Sequence, residues 1–213
     1  MLENGPVVRE VLFGGPDAAA EGIAPGALFI DMSSIKPSEA QDHAARLAKQ
    51  GVAHLDAPVS GGTVGAEQAT LAIMCGGTED DFARAEPVLS CMGRPVHVGP
   101  AGSGQLAKLA NQMIVGTTIA AVAEALALVT RGGADPARVR AALMGGFADS
   151  RVLDLHGQRM VARDFVTRGR TVTHLKDLDN AEDAARRLGF TAPILRETTS
   201  LFRGLSETVG DPD

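Results

Sequence analysis

The 213-residue chain contains no tryptophan and no tyrosine, and aromatic residues make up 3% of it. A core built without large rings must come from Ala, Val, Leu, Ile and Met, and hydrophobic residues at 45% supply enough of them. The same scarcity removes stacking platforms for single-stranded nucleic acid. A net charge of −6 removes the basic footprint that a phosphate backbone needs. Nucleic acid is therefore excluded as a partner. Cysteine is nearly absent: Cys75 and Cys91 lie far from CxxC spacing, both in apolar surroundings. They read as reduced core thiols of a cytoplasmic protein. No His, Cys, Asp or Glu cluster has metal-ligand spacing, and neither GxSxG nor a P-loop occurs, so no metal is expected. The opening "MLENGPVVRE" lacks the basic start and apolar run of a secretory leader. The most apolar stretch, "MIVGTTIAAVAEALALV", carries Glu124 and two threonines, so it reads as a buried helix and not a membrane span.

What is present falls into two textures. Over the first hundred residues short apolar runs alternate with helical spacing. "ALFIDMS" (27–33), "VAHLDAPVS" (52–60), "ATLAIMCGG" (69–77) and "RPVHVGP" (94–100) predict strands. "KPSEAQDHAARLAKQG" (36–51) and "TEDDFARAEPVLSCMG" (78–93) predict helices, the second with a Thr N-cap and an acidic first turn. This rhythm predicts a doubly wound, mostly parallel α/β domain over 1–100. After Pro100 no strand pattern recurs, and 101–213 reads as an all-α domain. It opens with one long helix over 103–131 that is apolar on nearly every face and calls for cover from a second subunit. The chain closes on a polar tail, "GLSETVGDPD".

Four clusters could carry chemistry. In "DAPVSGG" (56–62) a strand end meets Ser60, Gly61 and Gly62, whose hydroxyl and backbone N–H groups suit a carboxylate. An ordinary Pro/Gly turn accounts for them equally well. In "GQLAKLANQ" (104–112) Lys108 sits early in a helix among apolar residues, with Asn111 and Gln112 one turn on. The helix dipole and desolvation both oppose its charge, which would tune it as a proton donor near neutral pH. Taken alone, a lysine snorkelling at a domain boundary is the simpler reading. "HLKDLDNA" (174–181), with Lys176, Asp177 and Asp179, reads by spacing as a solvated charged face. "LMGGFADS" (143–150) reads first as a sharp helix connection and second as a ligand-facing loop.

Together, "IDMSSIKP", "LDAPVSGG", "GQLAKLANQ", "ALMGGFADSRVLDLHG" and "HLKDLDNA" resemble the ordered motifs of the β-hydroxyacid dehydrogenases, from Met1 to about Arg203. The resemblance implies a Rossmann-type domain followed by a helical domain, NAD or NADP as cofactor, a small hydroxy or oxo acid as substrate, a homodimer or homotetramer, and no membrane partner. It implies Lys108 as the general acid. Ser60, Gly61 and Gly62 become the carboxylate turn, and Asn111, Gln112 and Phe147 face the substrate. Ser34, Leu2 and Lys176 face the cofactor. The family places an Asn four residues after the lysine; here that position is Gln112, with Asn111 one earlier. The motifs are most similar to the branch that reduces a 2-hydroxy-3-oxo acid to D-glycerate. Oxidation of 3-hydroxyisobutyrate and a non-catalytic helical dimerisation module are the other readings. Family members open on a strand and G-x-G-x-x-G, which this sequence lacks, and "DFVTRGRTVTHLKDL" carries Arg168 and Arg170 in place of Pro-Gly-Phe. The resemblance therefore implies a chain shortened at its front by a truncated gene or a late start codon.

Overall fold

A computed structural model describes residues 1–209 and divides the chain into two compact units, Met1–Asn111 and Gln112–Asp213. In the first unit a five-stranded sheet is flanked by short helices. The elements run α1 (Gly5–Phe13), α2 (Ala19–Gly22), β1 (Leu28–Asp31), α3 (Pro37–Ala48), β2 (Ala53–Asp56), β3 (Val59–Ser60), α4 (Gly62–Glu67), β4 (Leu71–Gly76), α5 (Glu79–Leu89) and β5 (Gly93–Gly99). The predicted crossover helices are present and so are the predicted strands, except that 52–60 is broken at Ala57–Pro58 into β2 and β3. Sheet order is β1-β2-β4-β3, with β5 paired to β4. β1 and β2 are parallel from Leu28↔Ala53 to Asp31↔Asp56, and β4 and β5 are parallel from Leu71↔Gly93. The two parallel pairs meet at one antiparallel bridge, Asp56↔Gly76, and β3 lies antiparallel on β4. The short elements α2, β3 and α4 carry too few residues to show a period in the sequence.

Alternation along β4 sends Leu71, Ile73 and Cys75 into a core with Leu55, Ala57, Ala85 and Leu89. A second cluster of Leu12, Ala20, Leu47 and Val52 seats the helices. Local caps set the helix starts: Val7 N donates to Asn4 Oδ1 at 3.0 Å and Asp81 N to Thr78 Oγ1 at 3.1 Å. Cys75 is buried, and burial pushes its thiol up to about 11. Cys91 is not a core thiol; it lies exposed in the turn that leaves α5, where its Sγ donates to Pro87 O.

The second unit is helical throughout its described residues. It holds the greater part of α6 (Ser103–Arg131), then α7 (Pro136–Leu143), α8 (Arg151–Ala162), α9 (Thr171–Arg187) and α10 (Pro193–Val209). Asp135 caps α7, with Pro136 at its first position, and Ser150 caps α8. Arg140 ties α7 to α8, donating from Nε to Leu153 O at 3.0 Å and from Nη2 to both Asp154 O and Asp154 Oδ1 at 2.8 Å. Leu178, Ala181 and Leu195 are buried on α9 and α10. The first part of the polar tail, through Val209, continues α10; residues 210–213 lie outside the described residues.

α6 has the expected length, but a single chain does not bury it. Only 17% of its most apolar window is buried, and Ile114 and Leu128 are 68% and 72% exposed. Its length and hydropathy alone would also suit a membrane span. Against that, Thr117 Oγ1 pairs with Thr198 Oγ1 of α10 at 2.9 Å, so its polar side is answered by protein.

Candidate active site

The start of α6 is fixed by side chains distant in sequence. Asp56, at the end of β2, accepts from Gly102 N at 2.7 Å and from Gln105 N at 2.8 Å. It thereby satisfies two of the N–H groups that a helix start leaves open. Burial pushes its carboxyl up, and the two backbone donors pull it down. Glycine is required around it: a Cβ on Gly76 would stand 2.6 Å from Asp56 Oδ1, and one on Gly104 would meet Met74 O and Asp56. Gln105 is wholly buried and reaches the loop after β1, where its Nε2 donates to Ser33 O at 2.8 Å and its Oε1 accepts from Ile35 N at 3.0 Å. Ser33 N in turn donates to Asp31 Oδ1, and Ser33 Oγ accepts from Leu2 N, each at 2.8 Å. So β1, β2, the Ser33–Ser34 loop and the first turn of α6 form one hydrogen-bonded block. Lys108 and Asn111 stand half-buried on the next turn. Ser34 and Leu2, both named from sequence, lie within or beside that block.

Ser60 is half-buried at the end of β3, opposite Ala72. Gly61 and Gly62 follow with φ of +141° and +63°, values that side chains other than glycine rarely adopt. The chain therefore turns sharply there with its backbone uncovered.

In the second unit, Gln112 Nε2 donates to Asp177 Oδ2 at 2.8 Å and lies 3.4 Å from His174 Nδ1. Lys176 Nζ stands 3.3 Å from Asp177 Oδ1. Two residues named from separate motifs, Gln112 and Lys176, thus meet on the two oxygens of one carboxylate. Asp177 is 2% exposed, so the motif at 174–181 is not the solvated face its spacing suggests. Phe147 stands apart, fully exposed in the connection between α7 and α8.

Sequence reasoning missed Asp56, Gln105 and His174 and misjudged Asp177. One local signal existed: Asp177, Asn180 and Ala184 recur at helical spacing on the buried side of α9. Asp56 and Gln105 act across 49 and 72 residues, which no local pattern encodes.

A nicotinamide dinucleotide needs donors for its pyrophosphate as well as a face for its ring. Besides the turn at Ser60–Gly62, two glycine-bearing strand-to-helix turns occur among the described residues. The turn at Gly76–Gly77 opens on Glu79, Asp80 and Asp81, whose charges oppose an anion. The turn at 99–105 commits two of its N–H groups, Gly102 and Gln105, to Asp56. Neither suits a pyrophosphate.

Known proteins match over the full length of the chain. The family described as the NAD binding domain of 6-phosphogluconate dehydrogenase matches residues 1–102. The family described as NAD-binding of NADP-dependent 3-hydroxyisobutyrate dehydrogenase matches residues 102–213. The 2-hydroxy-3-oxopropionate reductase of Escherichia coli is 44% identical over 95% of this chain and 69% of its own. A probable 3-hydroxyisobutyrate dehydrogenase-like protein of Arabidopsis thaliana is 35% identical over 93% of this chain and 59% of its own. The solved structure of Mycobacterium tuberculosis 3-hydroxyisobutyrate dehydrogenase with L-serine superposes with a TM-score of 0.88 at 33% identity, covering 100% of this chain and 75% of that one.

Proposed function

Because the chain belongs to the 3-hydroxyisobutyrate dehydrogenase-like family of β-hydroxyacid dehydrogenases, NAD(P)-dependent oxidoreductases acting on β-hydroxyacids, we propose that it serves the reduction of 2-hydroxy-3-oxopropanoate to D-glycerate. The observation that carries this reading is the meeting of Gln112 and Lys176 on the buried Asp177 carboxylate. It joins the helix of the proposed acid, Lys108, to the lysine proposed to face the cofactor. The 44% identity to the E. coli reductase supports the substrate.

In this reading the N–H groups at Ser60, Gly61 and Gly62 hold the substrate carboxylate, since uncovered backbone donors suit an anion. Asn111, Gln112 and Phe147 face the rest of the substrate. Ser34, Leu2 and Lys176 would hold the nicotinamide end of NADH or NADPH, which would supply the hydride for the aldehyde carbon. As that C–H bond forms, the carbonyl π pair moves to oxygen. Lys108 Nζ gives its proton to that oxygen, leaving a neutral amine and a primary alcohol, and solvent restores the ammonium. The first turn of α6, held by Asp56 and Gln105, keeps Lys108 in place through the transfer.

The catalytic domain is proposed to be a cytoplasmic homodimer or homotetramer, with its boundary near residue 100. The unpaired Cys75 and Cys91 support a reducing compartment, and the uncovered apolar side of α6 supports assembly. Oxidation of 3-hydroxyisobutyrate is the second reading, favoured by the names of the A. thaliana and M. tuberculosis relatives.

The test measures NADH and NADPH oxidation with 2-hydroxy-3-oxopropanoate, and NAD⁺ and NADP⁺ reduction with 3-hydroxyisobutyrate. Both the 213-residue chain and the same chain preceded by a glycine-rich cofactor lobe are assayed. Preference for the first substrate is expected; preference for the second would replace the reading.

A further inference from the structure

α6 carries apolar residues round its whole circumference, so burial gives it little preference for one rotation about its axis over another. Its roll has to be set by particular contacts near its head. Asp56 receives the N–H groups of Gly102 and Gln105, and such groups point along the axis. That contact fixes where the helix starts and constrains its rotation less. The side chain of Gln105 acts differently, because it stands off the axis. It reaches the loop after β1, where Nε2 donates to Ser33 O at 2.8 Å and Oε1 accepts from Ile35 N at 3.0 Å. It is wholly buried, and its polarity is fixed, since a carbonyl only accepts and an N–H only donates. A reversed amide would oppose both groups at once.

Lys108 comes three residues after Gln105 and is its neighbour on the helix surface. Leu109, four residues on, follows Gln105 into the interior and is 2% exposed. The tether that fixes the direction of Gln105 therefore also fixes the direction of Lys108. Small rolls matter: a side-chain tip about 6 Å from the axis moves about 1 Å for a roll of about 10°. A reacting group misplaced by about 1 Å can cost about 10²-fold in rate. The far end of the tether is itself held, since Ser33 N donates to Asp31 Oδ1 and Ser33 Oγ accepts from Leu2 N, each at 2.8 Å. All of these residues lie in the first unit.

We propose that Gln105 is the positioning residue that sets the roll of α6, so that Lys108 keeps its working direction only while the loop after β1 is in place. Whatever orders or loosens that loop thereby acts on Lys108. The inference rests on the reading of Lys108 as the acid and deepens it.

The test labels the lysines of the 213-residue chain with a limiting amount of acetic anhydride and reads each site by mass spectrometry. It needs neither substrate nor cofactor, so it succeeds or fails apart from the reading of Lys108 as the acid. Lys49, exposed at the end of α3, is the internal standard. Gln105→Leu removes both side-chain bonds and keeps an apolar filling. Acetylation of Lys108 relative to Lys49 is expected to rise about fivefold or more, the scale on which two lost hydrogen bonds populate a loosened helix start. Ser33→Ala removes the oxygen that holds Leu2 N and should move Lys108 the same way. In the doubly substituted chain the two factors should not multiply, because the path through Gln105 is already cut. Gln105→Glu repeats the test if the Leu variant does not fold. Its neutral acid donates to Ser33 O and accepts from Ile35 N as the amide does, whereas its ionised form cannot donate. Burial favours the neutral form, so Lys108 labelling relative to wild type should stay near the wild-type level at acidic pH and climb as pH rises. Unchanged Lys108 labelling in Gln105→Leu, factors that multiply in the double variant, or a Gln105→Glu ratio that ignores pH would each overturn the inference.

Discussion

Burial of His54 in β2, beside Phe29, holds its imidazole down to about 4; Asp31 pulls it up and His43 pushes it further down. His43 is shifted the same way, again chiefly by burial. The native value of His54 lies below the unfolded value of 6.5, so the unfolded chain takes up this proton first as pH falls. The stability tied to neutral His54 is complete above pH 6.5 and drains away between 6.5 and about 4. The amount is about 3 kcal/mol, from about 1.36 kcal/mol for each pH unit. Urea midpoints measured across that window should fall in the wild type and fall much less in His54→Leu. An equal fall in both would show that His54 is not the titrating group. None of this was legible in "VAHLDAPVS". The run marks a strand, but the environment of His54 depends on β1 and α3, which a local pattern does not contain.

Among the elements, α6 has the most consequential start. The sequence marks its position through the glycines of "GPAGSG" and the change of texture after Pro100, but not its anchor. Asp135 and Thr78 cap their helices from the adjacent position and can be read directly. Asp56 caps α6 from the end of β2, and Gln105 ties it to the loop after β1. Asp56→Ala would leave two buried N–H groups without partners, at a cost of about 2–4 kcal/mol. The variant should lose thermal stability, and hydrogen exchange should quicken first at Gly102 and Gln105. Asp56→Asn keeps one acceptor oxygen and should fall between wild type and Ala. Unchanged exchange at those two amides in Asp56→Ala would show that the helix start is held by other groups. The same reach across the chain explains α9. Its charged motif looked solvated because its partner, Gln112, lies 65 residues away on α6.

For the whole molecule, element order and the two textures were legible because alternation and helical spacing are local properties. The family followed from five motifs in order, each weak alone. The sheet's antiparallel bridge between β2 and β4 was not legible, since it depends on which strands meet, whereas the poor cover of α6 followed from its apolar faces. The central claim is that Lys108 delivers the proton to the carbonyl oxygen. The most direct measurement is the steady-state rate of 2-hydroxy-3-oxopropanoate reduction, with the chain joined to a glycine-rich cofactor lobe, for wild type, Lys108→Ala and Lys108→Arg. Loss of a positioned acid should lower turnover by about 10²–10⁴-fold in Lys108→Ala. Arginine should restore little, because it keeps its proton at any working pH. NADH affinity should be nearly unchanged in both variants. Near-normal turnover in Lys108→Ala would contradict the account and reduce Lys108 to a boundary residue at the head of a packing helix.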